Sequence, residues 1–520
     1  MSPSSPDPER IPVVVASGQS IERTELMTPV DLMEQACTRA FEAVPGLRDH
    51  IDRVSVVDIM SRTGPAPATE LALRIGAGGA TCEVTTVGGN SPQWLVSRAA
   101  SAIAAGTLGA TVIAGAEAIR SSRARRAAGL PRHQGRTDLA PDPVVGDDIP
   151  GVGPAEAAAG LLLPVHVYAL FESVVAARAG HDAGRHRRAM GELLAPFTAV
   201  AATNPYAWFP EPRTALDIAT PTADNRIVSE PYTKRMSAFL GSDQGAALVL
   251  CSLAAARRAG VDDRAVFIWS GAEATDVRYP TARPDPGHSP GIAAAGRAAL
   301  EAATRAAAGR GAAPSGVGID DIEVLDIYSC FPSAVELATE ALGLGRDDRR
   351  ALTVTGGLPY FGGPGNNYTT HAIGRLTDIL RDPGPRGGGP GTRFGLANGL
   401  GWFITKHAVG IYATTPPPGG FHRGDTGAAQ AAIDTSAVEV ATGVESATGA
   451  TIVAATVIRD GGGAATGAPV LARLPDGRHM ALVAADDDTV AAMGRLDGPG
   501  QVGSPVVVQP GGPRYRLPTS

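Results

Sequence analysis

The sequence predicts an α/β protein, interrupted by a loop subdomain and followed by a small all-β barrel. Three observations carry this. Short apolar runs alternate with helical segments up to about residue 120 and again after about 240. That alternation argues a parallel α/β sheet. A basic, helix-rich stretch breaks the rhythm between about 120 and 225. After "TPPPGG" (Thr415–Gly420) the texture changes to short strand-like runs with turn residues between them, the signature of a small barrel.

The elements follow in order. "IPVVVASG" (Ile11–Gly18) is a short apolar run ending in glycine, a buried strand; "PVDLMEQACTRAFEAV" (Pro29–Val44) has helical spacing. "IDRVSVVDIM" (Ile51–Met60) reads as a strand, "PATELALRIGA" as a helix and "TCEVTTVGG" as a strand. "SPQWLVSRAASAIAAGT" is a helix with Ser91 as candidate N-cap and Pro92 as its first residue, positions those residue types favour. "ATVIAGAEA" is a buried strand. Beyond the interruption come "DQGAALVLCSLAAARRAG", "AVFIWSGAEA", a helix near 293–309, "DIEVLDIYSCFPSAVELATEALGL", a helix to Leu380 and "GWFITKHAVGIYATTP". In the last hundred residues "LPDGRH" is a hairpin turn.

Composition bounds the function. The chain has 520 residues, 44% hydrophobic and 19% charged, so it buries sizeable cores in more than one domain. A net charge of −7 argues against bulk nucleic-acid or anionic-membrane binding, and the C-terminal strands hold few aromatics on which bases could stack. The four cysteines (37, 82, 251, 330) are widely spaced, without a CxxC or a Cys/His cluster. No disulfide framework and no metal site are expected, and a reduced, cytoplasmic setting is. No apolar run is long enough to span a bilayer, and "MSPSSPDPER" lacks the pattern of a signal peptide.

Four glycine-rich or polar loops stand out, each read as following a strand: "TTVGGNSPQW" (Thr85–Trp94), "DIYSCFPSAVE" (Asp326–Glu336), "TVTGGLPYFGGPGNNYTTH" (Thr353–His371) and "LANGLGWF" (Leu396–Phe403). Ligands of open α/β sheets sit off the carboxyl ends of strands, so these loops form a candidate site. Residues 11–414 resemble a thiolase, and the sterol-carrier-protein type more than the others. "AATNPYAWF" (Ala201–Phe209) resembles that subfamily's Asn-Pro-Tyr-Ala segment, and "GSDQGAALVL" the Asp-Gly-Ala-Ala segment. "GGLPYFGGPGNN" matches the register of Gly-Gly-Leu-x-x-x-Gly-His-Pro, "YSCF" falls at His-Asp-Cys-Phe and "NGLG" at His-Asn-Leu-Gly. The resemblance implies two similar halves in a five-layer αβαβα core, with a loop domain over the site. The expected division is a first half over 1–120 and 226–292, the insertion over 121–225, a second half over 293–414, a linker over 415–432 and a small OB-like barrel over 433–520.

The departures from the family pattern bear on mechanism. The family's nucleophilic cysteine matches Gly89, flanked by Asn90 and Ser91. The histidine of Gly-His-Pro matches Gly363, next to Gly362. The histidine of His-Asp-Cys-Phe becomes Tyr328 and that of His-Asn-Leu-Gly becomes Asn398. Cys330, which matches the subfamily's acid/base cysteine, remains. The candidate catalytic groups are therefore Cys330, Tyr328, Tyr368 and His371, with Gly89, Asn90, Ser91, Gly362, Gly363, Asn366 and Asn398 as candidate binding residues. Each has a plainer reading: an inert buried thiol, packing tyrosines, a structural histidine, an N-cap serine, turn-completing asparagines. The run "RSSRARR" (Arg120–Arg126) reads as a solvated face or as a contact to CoA phosphates.

Without nucleophile and base, covalent acyl transfer by the family mechanism is not expected. Two functions stay open. One is an aldolase-type lyase on β-hydroxyacyl-CoA; the other is a non-catalytic acyl-CoA or lipid binder, or an assembly component, on a decayed thiolase. No bound cofactor is expected, CoA thioesters being substrate or ligand. Monomer and homodimer are both open.

Overall fold

The structure is a computed structural model; it describes residues 7–61, 63–308, 316–345, 348–382, 391–443, 446–496 and 501–518. Residues 1–6 of the N-terminal stretch and residue 309, the expected end of one helix, lie outside the described residues.

The first half contributes β1 (Pro12–Ile21), α1 (Pro29–Ala43), β2 (Arg53–Val56), α2 (Pro67–Arg74), β3 (Thr81–Thr85), α3 (Ser91–Ala105) and β4 (Ala110–Ala118). The insertion holds α4 (Ile119–Ala127), β5 (Val144–Val145), α5 (Pro154–Ala158), α6 (Pro164–Arg178), α7 (Ala183–Ala202), α8 (Ala215–Ala219), β6 (Ile227–Ser229) and β7 (Tyr232–Thr233). There follow β8 (Asp243–Ser252), α9 (Leu253–Arg258), β9 (Val266–Thr275), α10 (Pro290–Ala307), β10 (Ile322–Asp326), α11 (Pro332–Ala341), α12 (Tyr368–Arg381), β11 (Phe394–Gly401) and β12 (Lys406–Ala413). The C-terminal part holds β13 (His422–Arg423), α13 (Gly427–Thr435), β14 (Ala447–Ala455), β15 (Ile458–Arg459), β16 (Ala465–Gly467), β17 (Val470–Arg473), β18 (His479–Ala484), α14 (Asp487–Met493), β19 (Pro505–Gln509) and β20 (Arg514–Arg516).

Two sheets stack face to face with helices between and outside them. One runs β1-β8-β4-β2-β3-β5, the other β10-β11-β12-β9; two residue pairs, Val13–Phe267 and Val14–Val266, join them edge to edge. Helices α3 and α12 touch strands of both sheets and form the middle layer. Leu95, Ile113, Leu248, Ile268, Val324, Ile373, Leu376 and Tyr412 close this inner core. Helices α1 and α2 cover the outer face of the first sheet and α10 that of the second, which completes the five-layer αβαβα order.

The expected parallel sheet is mixed. β2 lies parallel to β3 and β4, and β10 to β11, but β1–β8, β4–β8, β11–β12 and β12–β9 are antiparallel. The reason is local for β11 and β12: residues 402–405 join them, too short for a crossover helix, and a short connection imposes the antiparallel sense. "LANGLGWF" is accordingly strand down to Gly401, not loop. The Thr353–His371 loop follows no strand; it connects α11 to α12. β9, expected in the first half, pairs along its length with β12 and belongs to the second sheet. The expected linker 415–432 is built into that sheet: β13 pairs with β9, and α13 packs on α10.

The barrel closes in the order β14-β17-β18-β20-β19, with Tyr515 fully buried in its core. The "LPDGRH" hairpin is present, Arg473 opposite His479, with Gly477 at φ +90°. β15 and β16 join β6 and β7 of the insertion in a four-stranded sheet. The Ala455 N–H donates to Ser173 Oγ of α6 (3.1 Å) and so seats the barrel on the insertion.

Candidate functional site

A cavity of about 940 Å³ opens between the insertion and the loops of both halves. It brings Gly89, Tyr328, Cys330 and Asn366 together, as the sequence suggests, and adds Tyr168, Tyr360 and Trp402. The other sequence candidates are not on its lining.

Gly89 sits in the turn before α3. A β-carbon there would lie 2.4 Å from Tyr328 Oη and 2.5 Å from the Leu400 carbonyl oxygen. The tyrosine hydroxyl therefore occupies the space into which a nucleophilic side chain at position 89 would project. Two departures from the thiolase pattern, cysteine to glycine and histidine to tyrosine, fit one another sterically. α3 begins one residue earlier than expected: Asn90 is its N-cap and Ser91 its first residue. The cap gives no side-chain bond, and the Ser91 hydroxyl donates to the Thr86 carbonyl (3.3 Å). His371, the base candidate for Ser91, lies elsewhere.

His371 is buried within α12, its Nδ1 2.8 Å from Gln19 Oε1 and its ring edge-on to Phe361. Burial pulls its pKa down to about 3, so the ring is neutral. Tyr368 is also interior: its hydroxyl pairs with Thr355 Oγ1 (2.6 Å) beside Asp326. Asn398 Oδ1 accepts the Tyr328 N–H (3.4 Å). Asn366 braces the cavity floor, accepting the Gly88 N–H (3.0 Å) and donating to Asp58 Oδ2 (3.0 Å). Gly362, at φ +114°, passes so close to Gln244 that a β-carbon would meet Oε1 at 2.2 Å. The Gly363 N–H donates to the Phe239 carbonyl (2.8 Å). The "NPYAWF" segment grips the same loop, Trp208 and Phe209 N–H groups donating to the carbonyls of Phe361 and Tyr360. The loop is thus held rigidly from behind. Arg120 of the basic run pairs with buried Asp243 (3.0 Å) instead of facing the cavity.

The thiol and the phenols that face the cavity are neutral. Burial pushes the Cys330 thiol up to about 12 and raises the hydroxyl pKa of Tyr328, Tyr168 and Tyr360. A thiol at that value supplies almost no thiolate near neutrality. Three buried polar atoms around the site lack a partner among the described residues: Asn90 Oδ1, Asn398 Nδ2 and Tyr360 Oη. Such groups are normally satisfied, so they mark where water or a ligand belongs. Trp402 and Ile404 hold positive φ (55° and 50°) in the β11–β12 turn, and strain of that kind concentrates at ligand sites.

The cavity mouth has two characters. Of the twelve exposed large apolar side chains among the described residues, five line it: Met60, Val87, Leu162, Leu163 and Leu240. The lining also includes Arg213, Lys234 and Arg235, with Asp224 as the acidic counterpart. Sequence reading missed Tyr360, although it lies inside the quoted loop, because neighbouring tyrosines 360 and 368 cannot be told apart without the backbone path. Tyr360→Phe is expected to leave stability within about 0.5 kcal/mol of wild type, or to raise it, since no bond to the protein is lost. Denaturant unfolding checks this; a loss above about 1 kcal/mol would reveal a partner.

The five layers, the loop domain over the site and the C-terminal barrel define a protein of the thiolase superfamily. No family model and no curated protein matches the sequence. Among solved structures, the monomeric SCP2-thiolase-like protein type 1 from Mycobacterium smegmatis is 30% identical, over 98% of this chain and 99% of that one, with a TM-score of 0.80. The chain belongs to the SCP2-thiolase-like proteins. The Ltp2-ChsH2(DUF35) aldolase shares the fold at 18% identity, over 78% of this chain and 98% of that one (TM-score 0.58). Human mitochondrial 3-ketoacyl-CoA thiolase does so at 15%, over 79% and 100% (TM-score 0.56), and a structure of human mitochondrial 3-ketoacyl-CoA thiolase in complex with CoA at 16%, over 78% and 99% (TM-score 0.55).

Proposed function

We propose that this chain binds the acyl end of a CoA thioester non-covalently in the 940 Å³ cavity and does not perform thiolysis or Claisen condensation. The carrying observation is the Tyr328 hydroxyl lying where a side chain on Gly89 would stand. The apolar mouth suits an acyl chain, and Arg213, Lys234 and Arg235 suit the phosphates of the CoA end. Tyr360 Oη, on the lining and without a partner among the described residues, is a donor for a thioester or 3-oxygen.

Calorimetry with a 3-ketoacyl-CoA tests the reading, with intact-protein mass spectrometry on the same mixture. Binding with no mass increase and no cleavage is expected. An acyl adduct, or cleavage lost on mutating Cys330, would sink it. The double variant Lys234→Ala/Arg235→Ala is expected to weaken binding about tenfold, equivalent to about 1.4 kcal/mol, and to reduce its salt dependence.

Aldolase-type cleavage of β-hydroxyacyl-CoA is the second reading, favoured by the barrel fused to a fold that a two-component aldolase shares. It needs a base for the 3-hydroxyl proton. The cavity's thiol and tyrosines are held protonated by burial, which favours binding over cleavage. Release of an aldehyde or ketone from a 3-hydroxyacyl-CoA would reverse that order.

A further inference from the structure

We infer that Glu172, His186 and Glu336 form a site for one divalent transition-metal cation, zinc being the best match to one imidazole and two carboxylates. The three ligand atoms lie within 4.8 Å of one another. Each comes from a different rigid element: Glu172 from α6, His186 from α7 and Glu336 from α11. His186 Nε2 already lies 2.5 Å from Glu172 Oε1. Zinc–ligand bonds of about 2.0–2.2 Å set ligand atoms roughly 3.3 Å apart, so small side-chain rotations close the set around an ion.

The chemistry of the cluster calls for a cation. Glu172 and His186 are buried and Glu336 is half-buried. The contact of His186 with Glu172 has the geometry of an ion pair. Imidazole nitrogen and carboxylate oxygen are both zinc ligands. Arg187, adjacent in sequence, is engaged by Glu230 (3.3 Å). An imidazole beside two carboxylates selects zinc-like ions over magnesium or calcium.

The outer atoms of two ligands are held as in metal centres, where second-sphere partners fix ligand orientation. His186 Nδ1 lies 3.3 Å from Nδ1 of His181, and Tyr232 Oη donates to Glu172 Oε2 (2.7 Å) while contacting Ser333 Oγ (2.8 Å). His186 also lines a cavity of about 320 Å³ between the insertion and the barrel, walled by Ala455, Val457, Met493 and Gln501. That space admits water as a further ligand. An ion there ties the insertion to α11 of the second half, beside the seat of the barrel. The inference does not depend on what the larger cavity binds.

The test uses the full chain, stripped with a chelator and titrated by calorimetry with Zn²⁺, Mn²⁺ and Mg²⁺ in turn, with a Co²⁺ absorption spectrum in parallel. One Zn²⁺ per chain, Zn²⁺ preferred over Mg²⁺, a raised melting temperature and a Co²⁺ spectrum of a low-coordinate site with nitrogen are expected. Glu336→Gln conserves volume at a half-buried position and is expected to lower Zn²⁺ affinity at least about tenfold. Equal Zn²⁺ affinity in wild type and Glu336→Gln overturns the inference, as does Mg²⁺ binding as tightly as Zn²⁺ or no Zn²⁺ binding. Should the variant not fold, the wild-type Co²⁺ spectrum decides: that of the hydrated ion overturns it.

Discussion

Replacing Gly89 by cysteine is expected to destabilise the protein by about 1–3 kcal/mol, the usual cost of overpacking a filled interior, and to create no acylatable thiol. The new β-carbon meets two neighbours at once. Tyr328 Oη, at 2.4 Å, is the end of a side chain, but the ring is buried, edge-on to Tyr368, and has little room to swing. The Leu400 carbonyl, at 2.5 Å, is backbone of β11, which pairs with β12 from Phe394 to Gly401 and cannot retreat alone. A restored nucleophile is thus pressed between a phenol and a carbonyl, with Gly363 in place of its base. The double variant Gly89→Cys/Tyr328→Phe is expected to recover part of the lost stability, because it removes the obstructing hydroxyl without opening a large cavity. Denaturant unfolding measures the cost, and mass spectrometry after exposure to acetyl-CoA reports acylation. Thiolase turnover by Gly89→Cys alone would mean that the tyrosine does not close the site.

This complementarity also shows how far a sequence can be read. The strand runs, the five motifs and the barrel texture were legible because buried strands are apolar and tight loops need glycine. The loss of the nucleophile was legible as a missing cysteine. What replaced it was not: that Tyr328 stands over Gly89 depends on the path of α11's leading loop across the turn before α3. The neutrality of Cys330 is likewise a property of burial, not of its neighbours in sequence. His371 and Tyr368 looked like cavity residues because they follow a glycine loop. α12 starts at Tyr368 and turns both inward, toward Gln19 and Thr355. Tyr168 comes from an apolar helix of the insertion and reads as core until α6 is laid over the loops. The Glu172–His186–Glu336 set has no ligand spacing to find, since each residue lies on a separate helix.

The same buried groups give opposite pH responses, and Asp326→Asn separates them. Asp326 is fully buried behind the loop, its Oδ2 accepting from Val354 N–H (2.9 Å) and Thr353 Oγ1 (3.0 Å), while Oδ1 has no partner among the described residues. Desolvation outweighs those bonds and raises its pKa from 3.8 to about 7. The folded chain holds this proton where the unfolded chain has released it. Its stabilisation is therefore complete below the ordinary carboxyl value and is lost as pH rises toward about 7, at about 1.4 kcal/mol per pH unit. Asparagine keeps the acceptor oxygen, places an amide at the orphaned position and removes the ionisation. Relative to wild type, the variant should gain stability steadily across that window and lead by roughly 4 kcal/mol above it, discounted where water reaches the charged form. His371 runs the other way: depressed from 6.5 to about 3, it favours the folded state above 6.5 and loses that advantage as pH falls. His371→Asn should therefore flatten the acid limb and leave the neutral limb unchanged. Unfolding free energies of the three proteins between pH 4 and 8 decide it: parallel curves for wild type and Asp326→Asn would show that Asp326 is ionised in the folded protein throughout.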